Sequence, residues 1–305
     1  MTEHDTHTMP KWENNLTIGM YGPDVVNAER YHSDQLCSAP SLSRGVAHTM
    51  ISECPLKGWL SHPRLNPQYA ADDPSASMDF GSVGHELILG SGGGIDIGDF
   101  DDFKTNAAKD WRKESRAANR TPVLRKTYYQ AVQLREGALR EFKRLGVLED
   151  FEACKYEQTI IFRSRDSYLR ARPDATLIDK GSGTISLFDV KITANAEPEA
   201  CTRRIGELGY PLQAQFYSEA AASIEPDLRG RTAFIFLFVE KEWPFLVSPI
   251  TLNGEWMTIA RSQYDRAVNL WAKCMSENKW GGYSQGIVEA CPRPWDMQSE
   301  IGASI

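Results

Sequence analysis

The sequence lacks several signals that would fix a function class at once. No apolar run approaches the ~18 residues that a membrane-spanning helix needs. The first 15 residues, MTEHDTHTMPKWENN, contain no apolar stretch of the kind a secretion signal carries, so a cytoplasmic protein is expected. There is no C-x-x-C pair. Cys37, Cys54, Cys154, Cys201, Cys274 and Cys291 are scattered, which points to reduced structural thiols rather than a disulfide framework. Positive charge is not in excess either: the net charge is −7, which argues against a uniformly basic nucleic-acid binder but is compatible with a local basic groove. No internal repeat is visible. What remains is an ordinary globular composition, 41% hydrophobic and 25% charged over 305 residues, with ample length to bury a core.

Residues 1–25 are polar and read as a flexible N-terminal segment; 26–285 read as one domain with a helical insertion around 103–146, and 286–305 as a tail. A helix is expected to start at a Ser41 or Ser43 cap and to stop before Cys54-Pro55, because proline disfavours helix in the residue before it. A second helix spans Met78–Gly90, with Phe80, Val83, Leu87 and Ile88 on one face. The Gly- and Asp-rich SGGGIDIGDFDDF that follows reads as a mobile loop, and its acidic residues 96–102 suggest no role beyond a solvated linker. Helices broken at Pro122 come next. There Arg112, Lys113, Arg116, Arg120, Arg125 and Lys126 stand against the single Glu114, either as a solvated face or as a contact for phosphates.

The periodicity then changes. KYEQTIIFRS, YLRARPDATLID and TISLFDVKIT have strand character, with a hairpin turn at Gly181-Ser182-Gly183 between the last two. Pro198–Ile224 returns to helix, interrupted at Gly209–Pro211. RTAFIFLFVEKEWPFLVSPITL supplies two more strands, the first apolar enough to be central, and a helix over Asn253–Ser276 closes the core. This order predicts an α/β or α+β fold with one central mixed sheet flanked by helices.

Charge on these strands needs an explanation. In LFDVKIT a period of two puts Asp189 and Lys191 on one face and Val190 on the other, and hairpin pairing brings Asp174 alongside. Two carboxylates within reach of one divalent ion, with a lysine beside them, suit metal-assisted attack on a phosphodiester. The lysine would orient or help deprotonate the attacking water, or steady charge on the phosphate. A surface hairpin with a cross-strand salt bridge would give the same tripeptide.

Five motifs, in order, resemble those of the PD-(D/E)XK nuclease superfamily, specifically its RecB-like and RecE-like phage or prophage exonucleases of the exodeoxyribonuclease VIII type. They are GSVGHELIL with His85, YEQTIIF with Glu157, RARPDATLI with Asp174, LFDVKIT with Asp189 and Lys191, and GYPLQAQFYSEA with Gln213 and Tyr217 one helical turn apart. The stretch from Tyr31 to Pro63 also resembles the start of RecE-type chains, so the likeness runs from about Tyr31 to Trp280. The resemblance implies a restriction-endonuclease-like core. It implies Mg²⁺ or Mn²⁺, one or two ions, held by His85, Asp174, Asp189 and the Val190 carbonyl. Asp174, Asp189, Lys191 and Glu157 would form the catalytic group, with Gln213 and Tyr217 positioning DNA or phosphate. His85, Glu157, Gln213 and Tyr217 each have a plain packing or solvent-facing alternative. Some relatives hold a 4Fe–4S cluster; the cysteine spacing here does not suit one, and none is expected.

By the same resemblance the chain is expected to digest one strand of duplex DNA from its ends, 5′ to 3′, in the bacterial host of a phage or prophage. The 3′ overhang would pass to a single-strand annealing recombinase, and a homo-oligomer without membrane attachment is expected. Arg112, Arg116, Arg120, Arg125 and Lys126, with Arg170 and Arg172 near the metal, are the candidate DNA contacts. Alternatives are an endonuclease or single-strand nuclease of the same superfamily, or a non-catalytic DNA-binding protein retaining the fold.

Overall fold

The computed structural model describes residues 15–69, 76–90, 94–284, 286–292 and 295–297. The chain begins with strand β1 (Gly19–Tyr21), helix α1 (Ala28–His32) and strand β2 (Ser41–Ser43). Ser43 then caps α2 (Arg44–Ser52), its hydroxyl accepting the Val46 N–H, and α3 (Pro55–Leu60) starts at Pro55 as expected. Helix α4 (Ala76–Leu89) is followed by β3 (Ile95–Gly98), α5 (Asn106–Ala117), β4 (Thr121–Leu124), the long α6 (Arg125–Arg144) and the short α7 (Leu148–Glu152). Strands β5 (Lys155–Tyr156), β6 (Thr159–Ser164), β7 (Ser167–Ala171), β8 (Ala175–Asp179) and β9 (Thr184–Thr193) come in succession. Helices α8 (Pro198–Glu207) and α9 (Tyr210–Ile224), strands β10 (Thr232–Glu240) and β11 (Val247–Thr251), and α10 (Gly254–Glu277), capped by Asn253, complete the fold.

The expected central mixed sheet is present, but two smaller sheets stand beside it. The main sheet has the order β11-β10-β9-β8-β5, a smaller one β1-β6-β7-β2, and β3 pairs with β4 alone. The reason lies in Arg-Pro-Asp. YLRARPDATLID is not one strand, because Pro173 has no N–H for a ladder, and the chain leaves the small sheet at Ala171 and enters the main one at Ala175. The main sheet is mixed, β10 running parallel to β9 over nine paired residues while β8 and β11 run antiparallel to their neighbours. The apolar β10 is interior, although β9 is the middle strand.

Period-two alternation assigns the two faces of this sheet. Ile185 and Leu187 of β9 and Phe234, Phe236 and Phe238 of β10 face α9, α10 and the small sheet, in a core with Phe162, Phe216 and Trp271. Phe188 and Val190 of β9 and Leu237 and Val239 of β10 face α6 and α7, against Leu134, Phe142 and Phe151. Helices therefore cover both faces of the main sheet.

Two boundaries move. Gly19–Tyr21 pairs with β6, so the ordered chain begins before residue 26; the rest of the expected N-terminal segment, 1–14, lies outside the described residues. SGGGIDIG is not wholly loop, since Ile95–Gly98 forms a parallel ladder with Thr121–Leu124; residues 91–93 are outside the description, as are 293–294 and 298–305 of the tail. No helix among the described residues is long and apolar enough to cross a membrane.

Candidate active site

The β8–β9 hairpin sets the register that brings the acidic residues together. Ala175 faces Phe188, so Asp174 stands level with Asp189 at the mouth of the hairpin. The Val190 N–H donates to Asp174 Oδ2 at 2.7 Å, locking that carboxylate against the neighbouring strand. Asp189 and Lys191 share the α9 face, where the next inward positions of β9 are Leu187 and Ile185, so Asp189 is a carboxylate in the place of a core side chain. Its side chain is 2% exposed. Burial of that kind is tolerable only with partners, and they are the ammonium of Lys191 and the side-chain amide of Gln213, which donates to Oδ2 from α9.

His85 arrives from α4. A Cβ at Gly84 would meet Ile192 Cδ1 at 2.7 Å and Leu134 at 3.2 Å, so only glycine lets the helix lie this close to β9. The next residue then reaches the hairpin, with His85 Nε2 2.9 Å from Asp174 Oδ2. Glu157 occupies the crossing from β5 to β6 with a positive φ of 48°, its N–H donating to the Asp174 carbonyl at 2.8 Å and its carboxylate 3.4 Å from Arg172.

The electrostatics follow from two acids and two bases in a shared, partly dry site. Burial pushes the Asp189 carboxyl up to about 6, with the Asp174 charge acting in the same direction and Lys191 opposing. For Asp174 burial also raises the pKa, but His85, Lys191 and the Val190 N–H outweigh it, and the net shift is down. Burial works against the charged form of His85, yet Asp174 beside it brings the imidazole up to about 9; Lys191 is likewise raised despite burial, by Asp189 and Asp174.

Among the described residues no three His, Cys, Asp or Glu side chains form a ready-made metal cage. The donor set nevertheless fits a hard divalent ion. Asp189 Oδ1 is buried and, although it faces the Lys191 ammonium, accepts no well-directed hydrogen bond. His85 Nε2 and Asp174 Oδ2, 2.9 Å apart, suit neighbouring corners of a shell with bonds of ~2.0–2.1 Å. Beside them opens a cleft of about 160 Å³ lined by His85, Val190, Lys191, Thr193, Arg204 and Tyr210. Arg204 of α8 and Tyr210, whose ring centre lies 4.8 Å from Lys191 Nζ, were not singled out from the sequence. Tyr210 flanks the Gln213 motif; Arg204 carries no local signal, because only the turn between α8 and α9 aims it at the cleft.

Several expected residues lie elsewhere. Tyr217 is 8% exposed and packs in the main core against Phe216 and Phe234; burial raises its pKa, and among the described residues it makes no hydrogen bond to Asp174 or Asp189. Arg170 is a correction. Its side chain is 4% exposed and bonds Asp34 and the Ser41 carbonyl, so it braces the small sheet and is not free to meet DNA. Arg172 donates to the Val26 carbonyl as well as facing Glu157. The basic run is also largely neutralised: Arg112 and Arg116 converge on the buried Asp79 at 2.8 and 3.0 Å, Arg120 pairs with Asp96 and Arg125 with Asp99. The acidic segment that had no role is therefore a counter-charge, and Lys126 is left exposed at the start of α6.

Comparison with known proteins bears on the family and the fold. Residues 68–294 match the family model described as a PDDEXK-like domain of unknown function (DUF3799). No curated protein sequence matches the chain. A crystal structure from Eubacterium rectale, named "Putative exonuclease", aligns with a TM-score of 0.56 at 11% identity, covering 90% of this chain and 98% of that one. A second, SSO0001, covers 73% of this chain and 88% of the other at 13% identity, but its TM-score of 0.25 carries no argument. The first likeness bears on the fold alone. The family match takes in every element that builds the site, from α4 to α9, and the chain accordingly belongs to the PDDEXK-like DUF3799 family of the PD-(D/E)XK nuclease superfamily.

Proposed function

We propose that the chain is a divalent-metal-dependent deoxyribonuclease acting from the ends of duplex DNA. The observation that carries this reading is the clustering of Asp174, Asp189, His85 and Lys191 at the β8–β9 hairpin, beside a cleft that His85 and Lys191 line, with Asp189 Oδ1 buried against the Lys191 ammonium. His85, Asp174, Asp189 and the Val190 carbonyl would hold the ion, Mg²⁺ or Mn²⁺. Such an ion supplies Lewis acidity toward a phosphodiester oxygen and lowers the pKa of water.

The residues divide the remaining work. Gln213 fixes the Asp189 carboxylate by amide donation to Oδ2, so that Oδ1, facing Lys191, keeps one direction. Lys191 donates hydrogen bonds at the cleft, to the attacking water or to a phosphate oxygen, and the Arg204 guanidinium faces the same space with charge for the phosphodiester. Water oxygen bonds to phosphorus as the bond to the leaving sugar oxygen breaks, and that oxygen takes up a proton. Glu157 holds Asp174 through its N–H to the Asp174 carbonyl, and Arg172 pairs with the Glu157 carboxylate. Degradation 5′ to 3′, a 3′ overhang passed to a single-strand annealing recombinase, and a homo-oligomeric state belong to the same proposal by resemblance to RecE-type chains.

The test is a time course on linear duplex labelled at each 5′ and 3′ end in turn, with Mg²⁺ or with EDTA, beside a covalently closed circle. Early metal-dependent release of 5′ label with the circle intact is expected. Cutting of the circle would make the chain an endonuclease, and cleavage undiminished in excess EDTA would end the metal mechanism.

A further inference from the structure

The β10–β11 connection, residues 241–246, is a tight loop that displays an aromatic ring rather than hiding it. Trp243 is 81% exposed and Leu246 half exposed. The loop itself is well fastened. The Lys241 N–H donates to the Thr193 carbonyl at 2.9 Å, the Phe245 N–H to the Glu242 carbonyl at 2.8 Å, and the Glu240 N–H to the Leu246 carbonyl at 2.9 Å. Phe245, in the left-handed region at φ 62°, drives its ring into the core against α6, where a Cβ at Gly137 would meet it at 2.5 Å. A residue held in that region needs surroundings that over-determine it. Phe245 thus acts as the bolt, and Trp243 is presented on a rigid base.

Beneath Trp243 lies a groove of about 410 Å³, bounded by Phe80 of α4, Thr127, Gln130 and Gln133 of α6, and Phe245. This is within the ~300–1,000 Å³ range of small-molecule sites. Its lining combines flat apolar walls with hydroxyl and amide groups that can donate and accept. Lys241 and Glu242 both border it, so their charges offset and the groove suits an uncharged flat group better than a phosphate. It also lies near the candidate site along two elements. Phe80 of this groove and Gly81 of the catalytic cleft are adjacent on α4, and Thr193, to which Lys241 bonds, is two residues beyond Lys191 on β9. At ~3.3 Å per residue, the loop begins within roughly 10 Å of Lys191, about three base steps at ~3.4 Å.

We infer that the Trp243 groove receives an unpaired nucleobase of the DNA strand close to the scissile phosphate, the indole stacking on the base while Gln130, Gln133 and Thr127 meet its edges. This deepens, and rests on, the nuclease reading above. A base must leave its pair to occupy the groove, so the loop acts on a single-stranded or frayed end, and stacking on an aromatic face is tolerant of sequence.

The experiment compares wild type, Trp243→Ala and Trp243→Phe for binding of a fluorescein-labelled oligothymidylate, the same strand with abasic sites, and a blunt duplex, all in EDTA, with the end-label cleavage assay alongside. Trp243→Ala should weaken oligothymidylate binding roughly 5- to 150-fold, as for loss of one aromatic–base stack, and Trp243→Phe should restore most of it. Wild type should lose a similar factor on the abasic strand, and there the alanine substitution should add nothing. Because the indole is mostly exposed, circular dichroism should be unchanged. Equal binding of wild type and Trp243→Ala, or an alanine effect that persists on the abasic strand, would overturn the inference while leaving an active nuclease intact. A wild-type protein that neither binds nor cleaves any DNA would overturn both.

Discussion

Replacing Asp79 by asparagine removes a single negative charge from beneath two arginines and keeps the side chain's shape. Asp79 accepts from Arg112 at 2.8 Å and from Arg116 at 3.0 and 3.1 Å, its own side chain only 6% exposed. Removing one partner of a fully buried pair costs ~3–5 kcal/mol. The two guanidiniums are about one-fifth exposed, so water takes up part of the loss, and the asparagine carbonyl still accepts one hydrogen bond. A hydrogen bond to a charged group is worth ~1.5–3 kcal/mol, which places the net cost at about 2–3 kcal/mol. In urea, with a slope of ~2–3 kcal/mol per molar, the unfolding midpoint should fall by about 1 M. Asp99→Asn is the control: it also deprives an arginine, Arg125, of its carboxylate, but in full solvent, and its midpoint should stay at that of wild type. Equal midpoints for both variants would show that burial of the Asp79 charge contributes nothing to stability, and would refute the reasoning.

Other outcomes are expected at and around the site. Asp189→Ala should abolish metal-dependent cleavage with the fold retained, read by end-label release together with circular dichroism. Gln213→Leu should lower stability by ~1–3 kcal/mol, the cost of leaving the buried Asp189 oxygen without its donor, measured by urea unfolding. At Gly84→Ala, overpacking against Ile192 costs ~1–3 kcal/mol and the gain in helix propensity returns up to ~1; modest loss of stability with large loss of cleavage is expected, because His85 is levered off Asp174. His62 gives a pH dependence. It is fully buried, its Nδ1 accepts the Arg64 N–H while Nε2 faces the Ser41 carbonyl at 3.1 Å, and burial lowers its pKa from 6.5 to about 4. The unfolded chain therefore binds the proton first, so this stability is complete above pH 6.5 and fades by up to about 3 kcal/mol as pH falls toward 4. Urea titrations at pH 7.5 and 5.0 should show that slope, and a slope unaltered by His62→Gln would assign it to other groups.

The hairpin and the juxtaposition of its charged residues were legible because their determinants are local. Gly181-Ser182-Gly183 sets the turn, a period of two sets the faces, and together they put Asp174 beside Asp189 with Lys191 on the same side. The helix cap at Ser43 and the break at Gly209 are equally local signals. What the sequence could not convey was the pairing of charges far apart along the chain. Arg112 and Arg116 looked like an open basic face because Asp79 is more than 30 residues away, and Arg170 looked like a phosphate contact because Asp34 and Ser41 are more than 120 residues distant. A run of like charge gives no hint of its counter-ions when those come from another element. Trp243 escaped notice for the opposite reason: an aromatic beside proline in an apolar segment reads as core, and only the fold shows that Phe245 goes inward in its place.

Pro173 has a further effect through the two sheets it separates. The chain crosses between them at Glu157 and again at Arg172–Asp174, and the two crossings are tied by the Glu157 N–H to Asp174 carbonyl bond. Asp174 thus takes its position from both layers, while Asp189 belongs to the main sheet alone. A change that tilts the small sheet would alter the spacing between the two carboxylates without touching either one. The buried charges of Asp34 and Arg170, which do not line the cleft, act as the brace that holds this spacing, so damage to residues 15–45 should register at the site before the main core loosens.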